Sequence, residues 1–290
     1  MPFRLVAVDV DATLLRRDGT ISPRTRRALG EAIENGLTLA IATGRRRRSA
    51  QPILERLALP HYLVASQGAV VWRNDEIVAH AHLPRESARG ALEIIESLGM
   101  QAVMFANAAQ PETIWVAGDW RANERLATYA QRNRELIKDI VDEALEHDPI
   151  QIVVMDSMER LERLNEALTG HAPPPPSVDP PAQDAPLWRV IFSKSQFTTG
   201  GAIEVVGPGT SKAAALESVC ELIACTSHEV IAFGDQVNDL EMLAFAGLGV
   251  CMANGTPDAK AAADRVCPSN DEDGIAVTLE ELGLAIRPSP

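Results

Sequence analysis

Apolar positions along the chain gather into short runs, and between the runs they recur at helical spacing. Leu5-Val6-Ala7-Val8, Leu37 to Ala42 and Tyr62 to Ser66 predict three buried strands. Ser22-Pro23 predicts a helix start, with a capping hydroxyl followed by a proline whose missing N–H costs nothing there, and Gly36 closes that helix. A second helix is predicted to run to about Leu57. Val70-Val71-Trp72 and Ile77-Val78-Ala79 flank a turn at Asn74-Asp75 and predict a hairpin.

The texture changes near residue 83. Helices are predicted at 85–98, 120–133 and 158–168, with strand pairs between them at 102–105, 113–116, 150–155, 187–193 and 202–206. A proline-rich run at 173–186 predicts a stiff extended loop. Strict strand–helix alternation then returns: helix 211–224, strand 229–233, a helix through Met242, strand 247–252 and a helix after Pro257. The fold class expected is α/β, a Rossmann-like parallel-sheet core at 1–82 and 208–290, interrupted by an inserted α+β domain at 83–207.

Composition narrows the function. At 290 residues with 46% hydrophobic content, the chain can bury two cores. No apolar run approaches the ~18 residues of a membrane span, and Met1-Pro2-Phe3-Arg4 leads straight into a strand without a secretory signal, so a cytoplasmic protein with no membrane partner is expected. A net charge of −13 argues against nucleic acid as partner. The four cysteines form no CxxC pair and read as core thiols.

The chemistry lies where the strands end. Leu5-Val6-Ala7-Val8 stops at Asp9, with Asp11 two residues on; Ile41-Ala42 stops at Thr43; Ile231-Ala232-Phe233-Gly234 stops at Asp235. Open α/β sheets bind ligands at the carboxyl ends of their strands, so these groups converge if the strands are neighbours. Aspartates that close together need a cation between them, and an all-oxygen set suits Mg²⁺. Lys212 in the first turn of its helix faces the helix dipole unfavourably unless an anion is bound nearby. Asp9, a divalent metal, Thr43 and Lys212 make a plausible phosphoryl clamp.

These residues carry a resemblance. Asp9-Val10-Asp11-Ala12-Thr13, Ala42-Thr43-Gly44-Arg45, Lys212 after Gly209-Thr210-Ser211, and Gly234-Asp235-Gln236-Val237-Asn238-Asp239 are similar, in order, to the four motifs of the haloacid dehalogenase (HAD) superfamily, in its Cof-type branch with a class IIB cap. The tail from Pro268 to Gly274 also resembles this branch. The resemblance implies a Mg²⁺-dependent phosphatase acting on small phosphomonoesters, sugar phosphates or related metabolites, with the inserted domain as cap. It implies Asp9 as nucleophile through an aspartyl-phosphate and Asp11 as general acid and base. Asp9, Asp235 and the Asp11 backbone carbonyl would hold the metal, supported by Asp239. Thr43, Lys212, Asn238 and backbone N–H groups near Val10 and Gly44 would hold the phosphoryl group, with Arg45 supporting. Ala12 stands where the family most often has Gly, and a small residue at negative φ is expected there.

The remaining signals are weaker. Arg46, Arg47 and Arg48 read as a solvated helix start, His80 and His82 as residues two apart near the presumed hinge that are not expected to form a metal pair, and the tryptophans as packing residues. A phosphomutase would share this chemistry but return the phosphoryl group to sugar. A receiver-like protein would carry its phosphorylated Asp after the third strand in a much shorter chain, and a non-catalytic phosphate-binding protein is encouraged only by Ala12.

Overall fold

The computed structural model describes residues 3–105, 113–139, 145–170, 188–194 and 200–286. The proline-rich run at 173–186 lies outside them. The chain divides into two compact units, Met1–His80 with Ser211–Pro290, and Ala81–Thr210.

In chain order, the first unit opens with β1 (Leu5–Asp9), α1 (Pro23–Glu34), β2 (Thr38–Ala42), α2 (Arg47–Leu57), β3 (Tyr62–Ala65), β4 (Val70–Arg73) and β5 (Glu76–His80). The second unit holds α3 (Arg85–Ser97), β6 (Ala102–Phe105), β7 (Ile114–Ala117), α4 (Glu124–Arg132), β8 (Ile137–Asp139), β9 (Gln151–Ser157), α5 (Met158–Thr169), β10 (Arg189–Lys194) and β11 (Gly200–Val206). The first unit is completed by α6 (Lys212–Leu222), β12 (Val230–Gly234), α7 (Leu240–Phe245), β13 (Leu248–Met252), α8 (Pro257–Ala262), β14 (Arg265–Cys267) and α9 (Gly274–Glu281).

The first unit is built on one sheet of order β14-β13-β12-β1-β2-β3-β4-β5, parallel from β14 to β3 and antiparallel at the closing hairpin. β1 is buried along its whole length because strands flank it on both edges and helices cover the faces, which is why it reads as continuous apolar sequence. On one face Leu5, Ala7, Ala40, Val64, Leu216, Val219 and Val230 share a core. The start of α1 is fixed as its sequence implies: Ser22 Oγ accepts from the Arg24 and Thr25 N–H groups at 3.2 and 3.4 Å, and Pro23 is the first helical residue.

The second unit has a sheet of order β10-β11-β9-β6-β7-β8, antiparallel except at the β7–β8 pair. Leu92, Ile95, Ile152, Leu161, Leu164 and Trp188 are among the residues of its separate core.

Three departures from the sequence reading have physical causes. The helix expected over 120–133 starts later, because the Asn123 side chain accepts from the Arg125 and Leu126 N–H groups and caps α4, leaving Trp120–Ala122 as an isolated turn. Two three-residue strands, β8 and β14, were too short to show a period, and α9 starts at the last residue of the motif tail and runs through a stretch for which the sequence reading gave no element. The third is Ala12, which has φ 60° and ψ 10°, not the negative φ expected. The chain must turn through a wide loop over Val10–Leu14, closed by Leu15 N–H to Val10 O at 2.9 Å, and the left-handed residue makes that turn. An alanine there costs about 1–2 kcal/mol relative to the right-handed region.

Candidate active site

Parallel pairing brings the strand ends together. Val8 is opposite Ile41 on β2 and Phe233 on β12, so Asp9, Thr43 and Asp235 leave the same edge of three neighbouring strands. The adjacency that the sequence reading required is thus present. Asp9, Asp235 and Asp239 are all buried, and one carboxylate oxygen from each lies within 4.8 Å of the others. Among the described residues this is the one group of three or more His, Cys, Asp or Glu side chains close enough to hold a metal ion.

Lys212 enters the cluster as the first residue of α6, whose N-cap is Ser211, with Ser211 Oγ accepting from Ala214 N–H. Its ammonium, 1% exposed, donates to Asp9 Oδ1 at 2.7 Å and to Asp239 Oδ1 at 2.6 Å. The other oxygen of Asp239 accepts from the N–H groups of Asp235 and Gln236 at 2.9 and 3.0 Å. Both oxygens of Asp239 are thus engaged: it locks the turn after β12 and aims the lysine. Asp235 accepts from Thr13 Oγ1 at 2.9 Å and from Gln236 Nε2 at 3.0 Å. The Oδ2 atom of Asp9 receives no hydrogen bond among the described residues.

Electrostatics follow from this crowding. Burial pushes the Asp9 carboxyl well above its ordinary value; Lys212 pulls it back, while Asp239 and Asp235 add to the rise. Burial and then Asp239 raise Asp235 to about 6, against the hydrogen bonds from Gln236 and Thr13. For Lys212 burial opposes the charge, but Asp239 and Asp9 outweigh it and hold the ammonium above its usual range. Three buried carboxylates against one ammonium leave an excess of negative charge, costly away from water unless a cation neutralises it. The donor set is hard oxygen, and Asp9 and Asp235 retain accepting capacity, so the residues present fit a divalent ion of the Mg²⁺ type.

The other expected residues fall around this centre. Thr43 is 1% exposed, and its Oγ1 accepts from the Arg45 N–H at 3.1 Å. Asp11 stands apart from the three carboxylates: its side chain is 46% exposed and is gripped by Arg45, Nε to Oδ2 at 2.7 Å and Nη2 to Oδ1 at 2.6 Å. That pairing, with Asp11 outweighing partial burial, raises the Arg45 guanidinium further. Asn238 donates to Gln67 Oε1 at 3.1 Å. Val10 is buried at the start of the wide turn, and Gly44 packs directly on the Gln67 amide.

Two residues, Asn254 and Gln67, went unread in the sequence. Asn254 donates to the carbonyl oxygen of the left-handed Ala12 at 2.8 Å and accepts from Asn270 N–H at 3.0 Å, while Asn270 donates to Leu15 O at 2.7 Å. This pair holds the turn after Asp9 from both sides. The Asn254-Gly255 dipeptide was a readable turn signal, but nothing local tied it to residue 12. Gln67 carried no motif at all.

A family model described as haloacid dehalogenase-like hydrolase matches residues 6–279. A 5-amino-6-(5-phospho-D-ribitylamino)uracil phosphatase of Bacillus subtilis is 28% identical over 281 residues, covering 96% of each chain. Among solved structures, a haloacid dehalogenase-like hydrolase from Bacteroides thetaiotaomicron is 24% identical with a TM-score of 0.71, covering 97% of this chain and 99% of that one. A sugar phosphatase of HAD subclass IIB is 22% identical with a TM-score of 0.75, at 97% and 99% coverage. The last two likenesses establish the fold, and the Cof-type, class IIB resemblance read from the motifs agrees with it. The chain belongs to the haloacid dehalogenase-like hydrolases.

Proposed function

We propose that the protein is a Mg²⁺-dependent phosphatase that hydrolyses small phosphomonoesters through an aspartyl-phosphate. The observation that carries this reading is the buried meeting of Asp9, Asp235 and Asp239 with Lys212 at the carboxyl edge of β1 and β12. Asp9 Oδ2, which receives no hydrogen bond among the described residues, would be the oxygen that attacks phosphorus. As that bond forms, the bond to the ester oxygen breaks, and the leaving oxygen takes a proton from Asp11. Asp11 then removes a proton from water, which attacks phosphorus and returns Asp9 as carboxylate. Lys212, Thr43, Asn238 and the N–H groups near Val10 and Gly44 are the donors for the phosphoryl oxygens, with Arg45 in support. Asp9, Asp235 and the Asp11 carbonyl would hold the metal, with Asp239 behind them. When bound, the ion would polarise the phosphoryl group and offset the charge building on it.

Arg45 shapes the acid–base role. Arg45 engages both carboxylate oxygens of Asp11, so the acid–base role requires that pair to open. The inserted domain, taken as residues 83–207 against a core at 1–82 and 208–290, is the proposed cap that selects the leaving group. The substrate is a small phosphorylated metabolite of the cytoplasm, and the ribitylamino-uracil phosphate of the Bacillus relative heads the candidates. No helix among the described residues is long and apolar enough to cross a membrane.

The test is phosphate release from an aryl phosphate and from a panel of sugar and polyol phosphates, with and without Mg²⁺. Asp9→Asn is expected to lower kcat by at least about 10³-fold with an unchanged circular dichroism spectrum, since it removes the attacking charge. Chelation should stop wild-type turnover and Mg²⁺ restore it. Turnover retained in Asp9→Asn would remove Asp9 as nucleophile. A strict need for a sugar bisphosphate, with no net phosphate release, would point to a mutase.

A further inference from the structure

Ser66 and Gln67 follow β3 with φ of 51° and 59°, and Gly68 continues at 99°. Two successive non-glycine residues in the left-handed region are uncommon, and such turns persist only where the surroundings enforce them. The choice of residue is informative. Gly or Asn would adopt this backbone more cheaply, yet position 67 carries Gln, whose gain must come from its longer side chain.

That side chain is 3% exposed, and it touches two of the predicted phosphate-binding segments at once. Its Oε1 accepts from Asn238 Nδ2 at 3.1 Å. Its amide lies so close to Gly44 that a Cβ there would collide with Nε2, and the Gln67 amide would have to leave its position to admit one. The backbone of the same turn holds both ends of the β2 loop: Ser66 N–H donates to Arg45 O at 2.9 Å and Gln67 N–H to Thr43 O at 3.1 Å. On its far side the space a Cβ of Gly68 would fill is taken by the carbonyl of Ser211, the N-cap residue before Lys212.

We infer that Gln67 is a positioning residue for phosphate: its amide fixes the rotamer of Asn238 and the path of Thr43-Gly44-Arg45, so that their donors face one phosphoryl group. An Asn amide nitrogen carries two hydrogens. Gln67 takes one, which fixes the plane of the group and directs the second toward the phosphoryl oxygen. Without Gln67 the Asn238 amide is released to rotate, and the cost falls on phosphate binding rather than on the fold.

The inference rests on the phosphatase reading, and the test separates the two. Gln67→Asn and Gln67→Gly both suit the left-handed backbone but cannot reach Asn238. Inorganic phosphate binding, measured by calorimetry in the presence of Mg²⁺, is expected to weaken about tenfold in each, as for loss of a hydrogen bond that orders a charged ligand's partner. KM for an aryl phosphate should rise by a similar factor. In an Asn238→Ala background the same Gln67 substitutions should cost less than about twofold more, because residues acting as one unit do not add. Losses that add fully across the pair, or phosphate binding unchanged in the single variants, would overturn the inference. A wild type that binds inorganic phosphate but releases none from esters would sink the hydrolase reading while leaving Gln67 to be judged on binding. A wild type that binds no phosphate sinks both.

Discussion

Asp235 is where a single residue's chemistry can be read from outside. Burial and the neighbouring Asp239 raise it to about 6, above the ~3.9 of an unfolded aspartate. The folded chain therefore keeps a proton that the unfolded chain has lost between about pH 4 and 6, and the stability this group contributes falls as pH rises through that window. A divalent ion binds the ionised form and so competes with the proton. Mg²⁺ affinity, followed as the rise in melting temperature on titration with the ion, is expected to be about tenfold weaker at pH 5 than at pH 7. An affinity that does not change with pH would mean that Asp235 does not touch the metal. Asp9 and Asp235 were legible in the sequence because a carboxylate ending an apolar run has few structural explanations, and Lys212 because a cation in the first turn of a helix opposes the dipole. Ala12 was not legible in the same way. Its side chain suggested a tolerant site, but φ is set by the turn and by Asn254, which lies far off in sequence.

At the scale of elements, the order of strands and helices in the first unit could be read from apolar period and turn residues, whereas the adjacency of β12, β1 and β2 was a condition of that reading, met by the sheet order. The turn at Ser66–Gly68 could not be read, since its meaning lies in contacts to three other segments and not in its own pattern. The junction between β12 and its turn is equally contextual. A Cβ at Gly234 would stand 2.6 Å from the Asp239 Cβ and 2.7 Å from its Cγ. Asp239 cannot move aside, because two N–H groups and Lys212 hold it. Gly234→Ala is therefore expected to destabilise the protein by about 1–3 kcal/mol in urea unfolding, as overpacking does, and to weaken Mg²⁺ binding. Unaltered stability and metal affinity would show that the turn after β12 has slack.

For the whole molecule, the decisive feature is that one unit is made of the two ends of the chain while the other is continuous. Each unit has its own apolar core, so Ala81–Thr210 can collapse on local contacts, whereas the first unit must wait for partners far along the sequence. A chain ended at residue 210 lacks β12, and the β12-facing edge of β1 is then left bare along an apolar stretch. Bare edges of that kind invite pairing with other chains. Such a truncated chain is expected to sediment as aggregate where the full chain stays in the supernatant; a soluble monomer of it would show that some other segment shields β1. The same geometry sets a timetable during synthesis. Leu5 pairs with Val230, so at about 5–20 residues per second the ribosome takes roughly ten to forty seconds to supply the strand that covers β1. For that interval Asp9 stands at the end of an open edge, and the nascent chain is exposed to mispairing until β12 arrives.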